Sequence, residues 1–121
     1  MIVKLFKPQF SPLVESGLKL QTVRPTPKRM PKPGDRISLR EWTGAPYRSK
    51  QRVLREAKIV SIQPIRMDLW ISINGEVLTV RRAEAFARAD GFASLYEMTC
   101  WFEDTHGLPF EGVVIKWDWR L

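Results

Sequence analysis

Four prolines within nine residues, Pro25, Pro27, Pro31 and Pro33, constrain this chain more than any other feature. Each proline fixes its own φ and lacks a backbone N–H, so neither a helix interior nor a central strand can cross this stretch. One set of elements must finish before Pro25, and another must begin after the turn residues Gly34-Asp35. The interruption is also basic, because Lys28, Arg29 and Lys32 lie within it.

On the N-terminal side, Ile2-Val3-Lys4-Leu5-Phe6 reads as a strand. Ser11-Pro12 reads as an N-cap followed by proline at the first helical position, and Gly17 as the stop of a short helix. Leu20–Arg24 is then expected to run extended up to the prolines. After them, Arg36–Trp42 alternates apolar and polar residues as a strand does, and Thr43–Gln51 is a second polar, basic loop. Val53–Ile65 is a long strand candidate with no single apolar phase, which predicts a bend. Leu69–Ile73 and Glu76–Val80 flank Asn74-Gly75, a pair suited to the positive φ angles of a type I′ hairpin. Helical signal comes late. Arg82–Ala89 is rich in helix formers and ends at Asp90-Gly91. Ser94-Leu95-Tyr96-Glu97 is a capping box that opens a helix with Leu95, Met98 and Phe102 inward and Gly107 as its stop. Val113, Ile115, Trp117 and Trp119 alternate along a closing strand with one apolar face. The expected architecture is α+β: five to seven strands in a small, partly open mixed β-barrel, with two or three short peripheral helices, as one domain over residues 1–121.

Charge narrows the partner. The chain carries 20 Lys and Arg against 13 Asp and Glu, a net +7. The imbalance is not spread evenly: residues 1–66 hold fifteen basic and four acidic side chains, and residues 67–121 hold five and nine. A basic half-chain favours a polyanion such as RNA, or a nucleoside or nucleotide ligand. No apolar run approaches the roughly 18 residues of a membrane span, so no membrane partner is expected. The N-terminus lacks a signal-peptide pattern, and Cys100 is the only cysteine, so the expected location is the cytoplasm. With one cysteine and one histidine (His106), no Cys/His zinc site can form within one chain, and no metal or cofactor is expected.

The densest polar cluster is Gly17-Leu18-Lys19-Leu20-Gln21-Thr22-Val23-Arg24, with the pattern G-x-K-x-x-T-x-R. Amide hydrolysis needs an activated nucleophile and a proton carrier. Thr22 can serve as nucleophile. Lys19 can serve as base if burial or a neighbouring cation lowers its pKa, and Arg24 can hold a phosphate or a developing oxyanion. Strand alternation puts Thr22 and Arg24 on one face and Lys19 on the other, so Lys19 joins them only where the backbone is irregular. Gln21 is placed with Arg24 among the nucleic-acid contacts. Lys28, Arg29 and Lys32 on one loop, and Arg48, Lys50 and Arg52 at the other, can track a phosphate backbone. Trp42, beside the second loop, is the candidate for base stacking. Trp117 and Trp119 fall in the core phase, and Trp101 lies at core or rim.

These pieces, in this order, resemble the activating-signal-cointegrator homology (ASCH) domain of the PUA-like superfamily. The resemblance takes in the opening strand and helix, Gly17-x-Lys19-x-x-Thr22-x-Arg24, Lys32-Pro33-Gly34-Asp35, Ala89-Asp90-Gly91-Phe92, the helix ending Trp101-Phe102, and the last strand. It implies a β-barrel whose adjacent cleft binds RNA or a modified nucleoside. A bacterial branch similar to this motif hydrolyses 4-acetylcytidine, with a lysine and a threonine matching Lys19 and Thr22 and a glutamate matching Asp90. The aspartate here is one methylene shorter than that glutamate. Other relatives are linked to RNA cleavage. The resemblance thus implies an RNA- or nucleoside-binding domain, with a nucleoside amidohydrolase or a ribonuclease as the enzymatic alternatives.

Overall fold

The computed structural model describes residues 1–120. Seven strands and three helices follow one another in chain order: β1 (Ile2–Leu5), α1 (Ser11–Ser16), β2 (Gln21–Pro25), β3 (Arg36–Trp42), β4 (Gln51–Met67), β5 (Ile71–Ile73), β6 (Glu76–Val77), α2 (Val80–Ala89), α3 (Leu95–His106) and β7 (Phe110–Asp118). The fold is α+β, with one mixed sheet.

The long strand β4 organises the sheet. Lys58 is paired at once with Arg36 of β3 and Asp118 of β7, and Ile65 with Ile73 of β5 and Gly112 of β7. Strand β7 therefore occupies one edge of β4, while β3 and β5 share the other. Strand β1 adds to β3 in parallel, β6 adds to β5, and β2 adds antiparallel to the far side of β7. Register shifts at Leu39/Arg40 and Ile59/Ser61 mark irregularities in these ladders. They account for the missing single phase in β4, because each extra residue moves the following side chains to the other face.

The sheet is not closed. Among the described residues β1 pairs only with β3, and β2 only with β7. The one direct polar link across this seam is a side chain: Arg24 Nη2 donates to the Leu5 carbonyl at 2.8 Å.

The core lies between the sheet and the helices. Val14 of α1, Ala83, Phe86 and Ala87 of α2, and Met98 and Phe102 of α3 pack with Ile37, Leu39, Ile59, Val114 and Ile115 of the sheet. Phe102 meets Phe110 with ring centroids 5.0 Å apart, which ties α3 to β7. Removing a ring buried this fully costs about 3–5 kcal/mol.

Several expectations need correction. Ser11 is not an N-cap: Phe10 holds that position and the Ser11 hydroxyl donates back to the Lys7 carbonyl. The real cap of α2 is Thr79, whose side chain accepts from the Arg82 N–H, so the helix begins at Val80 and the second hairpin strand stops at Val77. Strand β7 does not have one apolar face. Val113, Val114 and Ile115 are all buried, because the strand lies between β2 and β4 and is covered on both sides. Trp119 lies outside the core, with the Arg55 guanidinium 4.3 Å from its ring centroid. The Asn74-Gly75 turn, the Gly17 and Gly107 stops and the Ser94 cap stand as read.

Candidate ligand cavity

The segment Leu18–Leu20 explains how Lys19 reaches the face of Thr22. Gly17 ends α1 in the left-handed conformation, at φ 82°. The N–H groups of Leu18 and Lys19 both bond the Leu13 carbonyl, so the backbone is still unwinding from the helix at Lys19. Strand β2 starts only at Gln21. The alternation that separates positions 19 and 22 does not apply, and Lys19, Thr22 and Arg24 line one cavity of about 230 Å³. This lies just below the roughly 300–1,000 Å³ of drug-sized ligand sites. Leu5 of β1 and Thr22–Pro25 of β2 both line it, so it lies along the seam between these strands.

Asp90 reaches the same cavity from the C-terminus of α2. Gly91 follows it at φ +100°, and a Cβ there would lie 2.9 Å from Phe10 Cδ1, so glycine is required for the chain to turn beside the aromatic wall. Lys19 Nζ donates to the Asp90 carbonyl, an orphan acceptor of the helix end, and lies 3.4 Å from Asp90 Oδ1. Gln21 Nε2 donates to the same carboxylate oxygen at 3.3 Å. Arg24 Nε donates to Thr22 Oγ1 at 3.1 Å. With its oxygen accepting from a guanidinium, the Thr22 hydroxyl keeps its own proton free for a base.

Burial dominates the electrostatics. Lys19 is 3% exposed, and desolvation lowers its pKa; Asp90 opposes that shift and Arg24 adds to it. Desolvation raises the Asp90 pKa, against the pull of Lys19, Gln21 and Arg24. Fully ionised, the cluster holds a buried cation and a buried anion beside a second, half-buried cation. Such a surplus is relieved by a neutral lysine or by an anionic ligand.

The remaining walls are aromatic. Phe6, Phe10 and Phe92 line it with Trp101, Phe102 and His106 from α3, and Trp101 packs against both Phe10 and Phe92. Arg24 Cζ lies 5.0 Å from the Phe6 centroid and Lys19 Nζ 5.1 Å from that of Phe10. Desolvation, then the charges of Arg24 and Lys7, lowers the His106 pKa. These aromatic side chains were not among the expected site residues. The legible signal was the spacing of Phe102 and His106, four apart on α3, whose rings stack at 5.7 Å.

The chain matches no protein-family model, no curated protein and no solved structure.

The other residues expected to touch nucleic acid divide. Lys28, Arg29 and Lys32 are exposed on the proline loop, outside the cavity wall. Arg48 and Lys50 are exposed on the second loop, where Trp42 and Tyr47 rings lie 5.2 Å apart. Arg52 is committed elsewhere, with Nη2 at 2.8 Å from Glu15 and 2.9 Å from Glu41. Gln21 is buried, with its Nε2 donating to Asp90 Oδ1. Among the described residues no group of three or more His, Cys, Asp or Glu converges as metal ligands, and no helix is long and apolar enough to cross a membrane.

Proposed function

We propose that this chain is an ASCH-type domain of PUA-like fold that takes a modified pyrimidine nucleoside into the Lys19–Thr22–Asp90 cavity and hydrolyses its acylated exocyclic amine. One observation carries the proposal. An almost fully buried lysine sits beside a carboxylate on the same small cavity as a threonine whose oxygen is bonded to a guanidinium. A lysine used only to cap α2 would need neither Thr22 nor Arg24 beside it.

The chemistry follows from the positions. Neutral Lys19 takes the Thr22 proton as Oγ attacks the acyl carbon. Arg24, already bonded to that oxygen, is close enough to stabilise the negative charge passing to the carbonyl oxygen. Lys19 then protonates the departing nitrogen as the C–N bond breaks, which frees the nucleoside amine. Water, giving its proton to Lys19, cleaves the acyl-threonine; the acid leaves, and Lys19 returns a proton to Thr22. Asp90, itself bonded by Gln21, holds the amine in place throughout. Aromatic walls suit a flat heterocycle and exclude water.

The test is turnover of 4-acetylcytidine to cytidine, followed chromatographically. Activity lost in both Lys19→Ala and Thr22→Ala supports the assignment. No cytidine release at any pH from mildly acidic to alkaline refutes it. RNA binding is the second reading, favoured by exposed Lys28, Arg29 and Lys32, none of whose charged side-chain groups forms an ion pair among the described residues.

A further inference from the structure

A second concavity, of about 640 Å³, lies between the start of β1, the proline loop and the start of β3. Three cations line it: Lys4, Arg29 and Arg36. None of them has a carboxylate within ion-pair distance among the described residues. The single acid on its wall, Asp35, is already used, because its Oδ2 accepts from the Lys32 N–H at 2.9 Å. A merely soluble surface does not call for three unpaired cations around one hollow, one of them half-buried.

The hollow adjoins the cavity. Ile2 and Lys4 alternate with period two along β1, and Phe6, next in phase, belongs to the cavity wall. On the other side, Arg24-Pro25 lines the cavity, and Pro27 and Arg29, a few residues on, line the hollow. The Lys4 amine has its pKa lowered by burial and by the charge of Arg24, so the two cations sense each other. A ligand base seated among the aromatic rings would have its sugar at the seam, and the chain beyond the sugar would enter the hollow.

We propose that Lys4, Arg29 and Arg36 form a phosphate subsite, so that the cavity takes its nucleoside in phosphorylated form in preference to the free one: as a nucleotide, or as a nucleotide within an RNA strand. This deepens the nucleoside reading and rests on it for the position of the base. Arg29 and Arg36 supply forked donors for phosphate oxygens, and Lys4 supplies a point charge near the seam.

Equilibrium binding separates the sources. The probes are cytidine, cytidine 5′-monophosphate and a short fluorescent oligocytidylate, each titrated at several salt concentrations. Wild-type protein is expected to bind at least one phosphorylated probe about tenfold or more tightly than cytidine. Preference for the monophosphate identifies a nucleotide ligand, and preference for the oligomer identifies an RNA strand. Arg29→Ala/Arg36→Ala is expected to bring that preference to near unity. It is also expected to flatten the log–log salt slope of oligomer binding by about 0.7 for each phosphate it no longer neutralises. Both positions are exposed, and Arg29→Lys/Arg36→Lys is expected to restore most of the salt dependence. Arg81→Ala/Arg82→Ala, a pair of exposed cations on α2, should leave the preference unchanged. Equal affinity for cytidine and both phosphorylated probes overturns the subsite. So does a phosphate preference that survives in the double-alanine variant, or one lost equally in the α2 variant. Failure to hydrolyse 4-acetylcytidine, with the Arg29/Arg36-dependent preference intact, sinks the hydrolase and leaves the subsite standing.

Discussion

Replacing Lys19 with methionine measures how far Asp90 depends on the amine for its charge. Methionine keeps most of the side-chain length and removes the donor. Asp90 loses an ion pair at 3.4 Å and the bond to its carbonyl, and keeps only Gln21 at 3.3 Å and the charge of Arg24. Breaking a buried pair from one side costs about 3–5 kcal/mol. There is a ceiling, because the orphaned carboxyl can take a proton instead. For an ordinary aspartate, with a pKa of about 3.9 and about 1.36 kcal/mol per unit, protonation costs about 4 kcal/mol at pH 7 and about 1.5 kcal/mol at pH 5. The expected loss is therefore about 3–4 kcal/mol at pH 7, smaller by about 2 kcal/mol at pH 5. The sign follows from proton counting. Burial raises Asp90 above its unfolded value, and without Lys19 less holds it down. The folded variant then binds more protons than the unfolded chain, and its stability rises as pH falls. Urea unfolding at the two pH values is the assay. An equal loss at both would refute the reasoning, since Arg24 and Gln21 would then hold Asp90 ionised unaided. Lys19→Met/Asp90→Leu, with no orphaned charge, is expected to recover most of the loss.

Three further predictions test the site. Turnover of 4-acetylcytidine should rise with pH along one limb centred below the ordinary lysine value of 10.5, because the neutral amine is the base and burial lowers its pKa; Lys19→Arg, always protonated, should be inactive at every pH, and activity in that variant would remove Lys19 as the base. Thr22→Val keeps the shape and removes the acceptor of Arg24 Nε, while Arg24 retains Leu5; stability should fall by only about 0.5–1.5 kcal/mol with turnover abolished, and residual turnover would place the nucleophile elsewhere. Gly112→Ala would set a Cβ 2.2 Å from the Arg24 carbonyl and 2.8 Å from Phe110 Cζ. Because the first of these is backbone, β2 must move off β7, and a loss of about 3 kcal/mol or more is expected; an unchanged melting temperature would refute that packing.

Much of this was legible in residues with strong local rules. Asn74-Gly75, the Ser94–Glu97 cap, Gly17, Gly107 and the proline run each impose a backbone conformation that no tertiary context reverses. The grouping of Lys19, Thr22, Arg24 and Asp90 came from motif order, and the structure brings the four to one cavity. What escaped depended on long-range placement. Val114 reads as the outward partner of an alternating strand, and is buried because β7 becomes central. Trp119 keeps the same phase as Trp117 yet falls beyond the covered end of the strand. Arg52 reads as a free cation, since Glu15 and Glu41, far from it in sequence, meet it only in the fold. The aromatic wall escaped for the same reason: Phe6, Phe92 and His106 come from three separate segments.

The open seam connects the fold to the site. Were β1 and β2 to pair, the sheet would close and the space now held by the cavity would be filled by a ladder. Several side chains hold the edges apart. Phe6 and Phe10 line the cavity beside this gap, and Pro25 offers no N–H at the end of β2. The single guanidinium of Arg24 then does what a ladder would otherwise do, by bonding Leu5 of β1. The same group bonds the Thr22 hydroxyl and shares a cavity with Lys19 and Asp90. Arg24 therefore cannot shift toward a ligand without loosening the sheet edge, nor can the edge shift without moving Thr22. That coupling pre-sets the hydroxyl before a ligand arrives, which is the condition for a positioned nucleophile. It also fixes the surplus positive charge at the seam. The cavity then favours either a lysine that has given up its proton or a ligand that brings an anion.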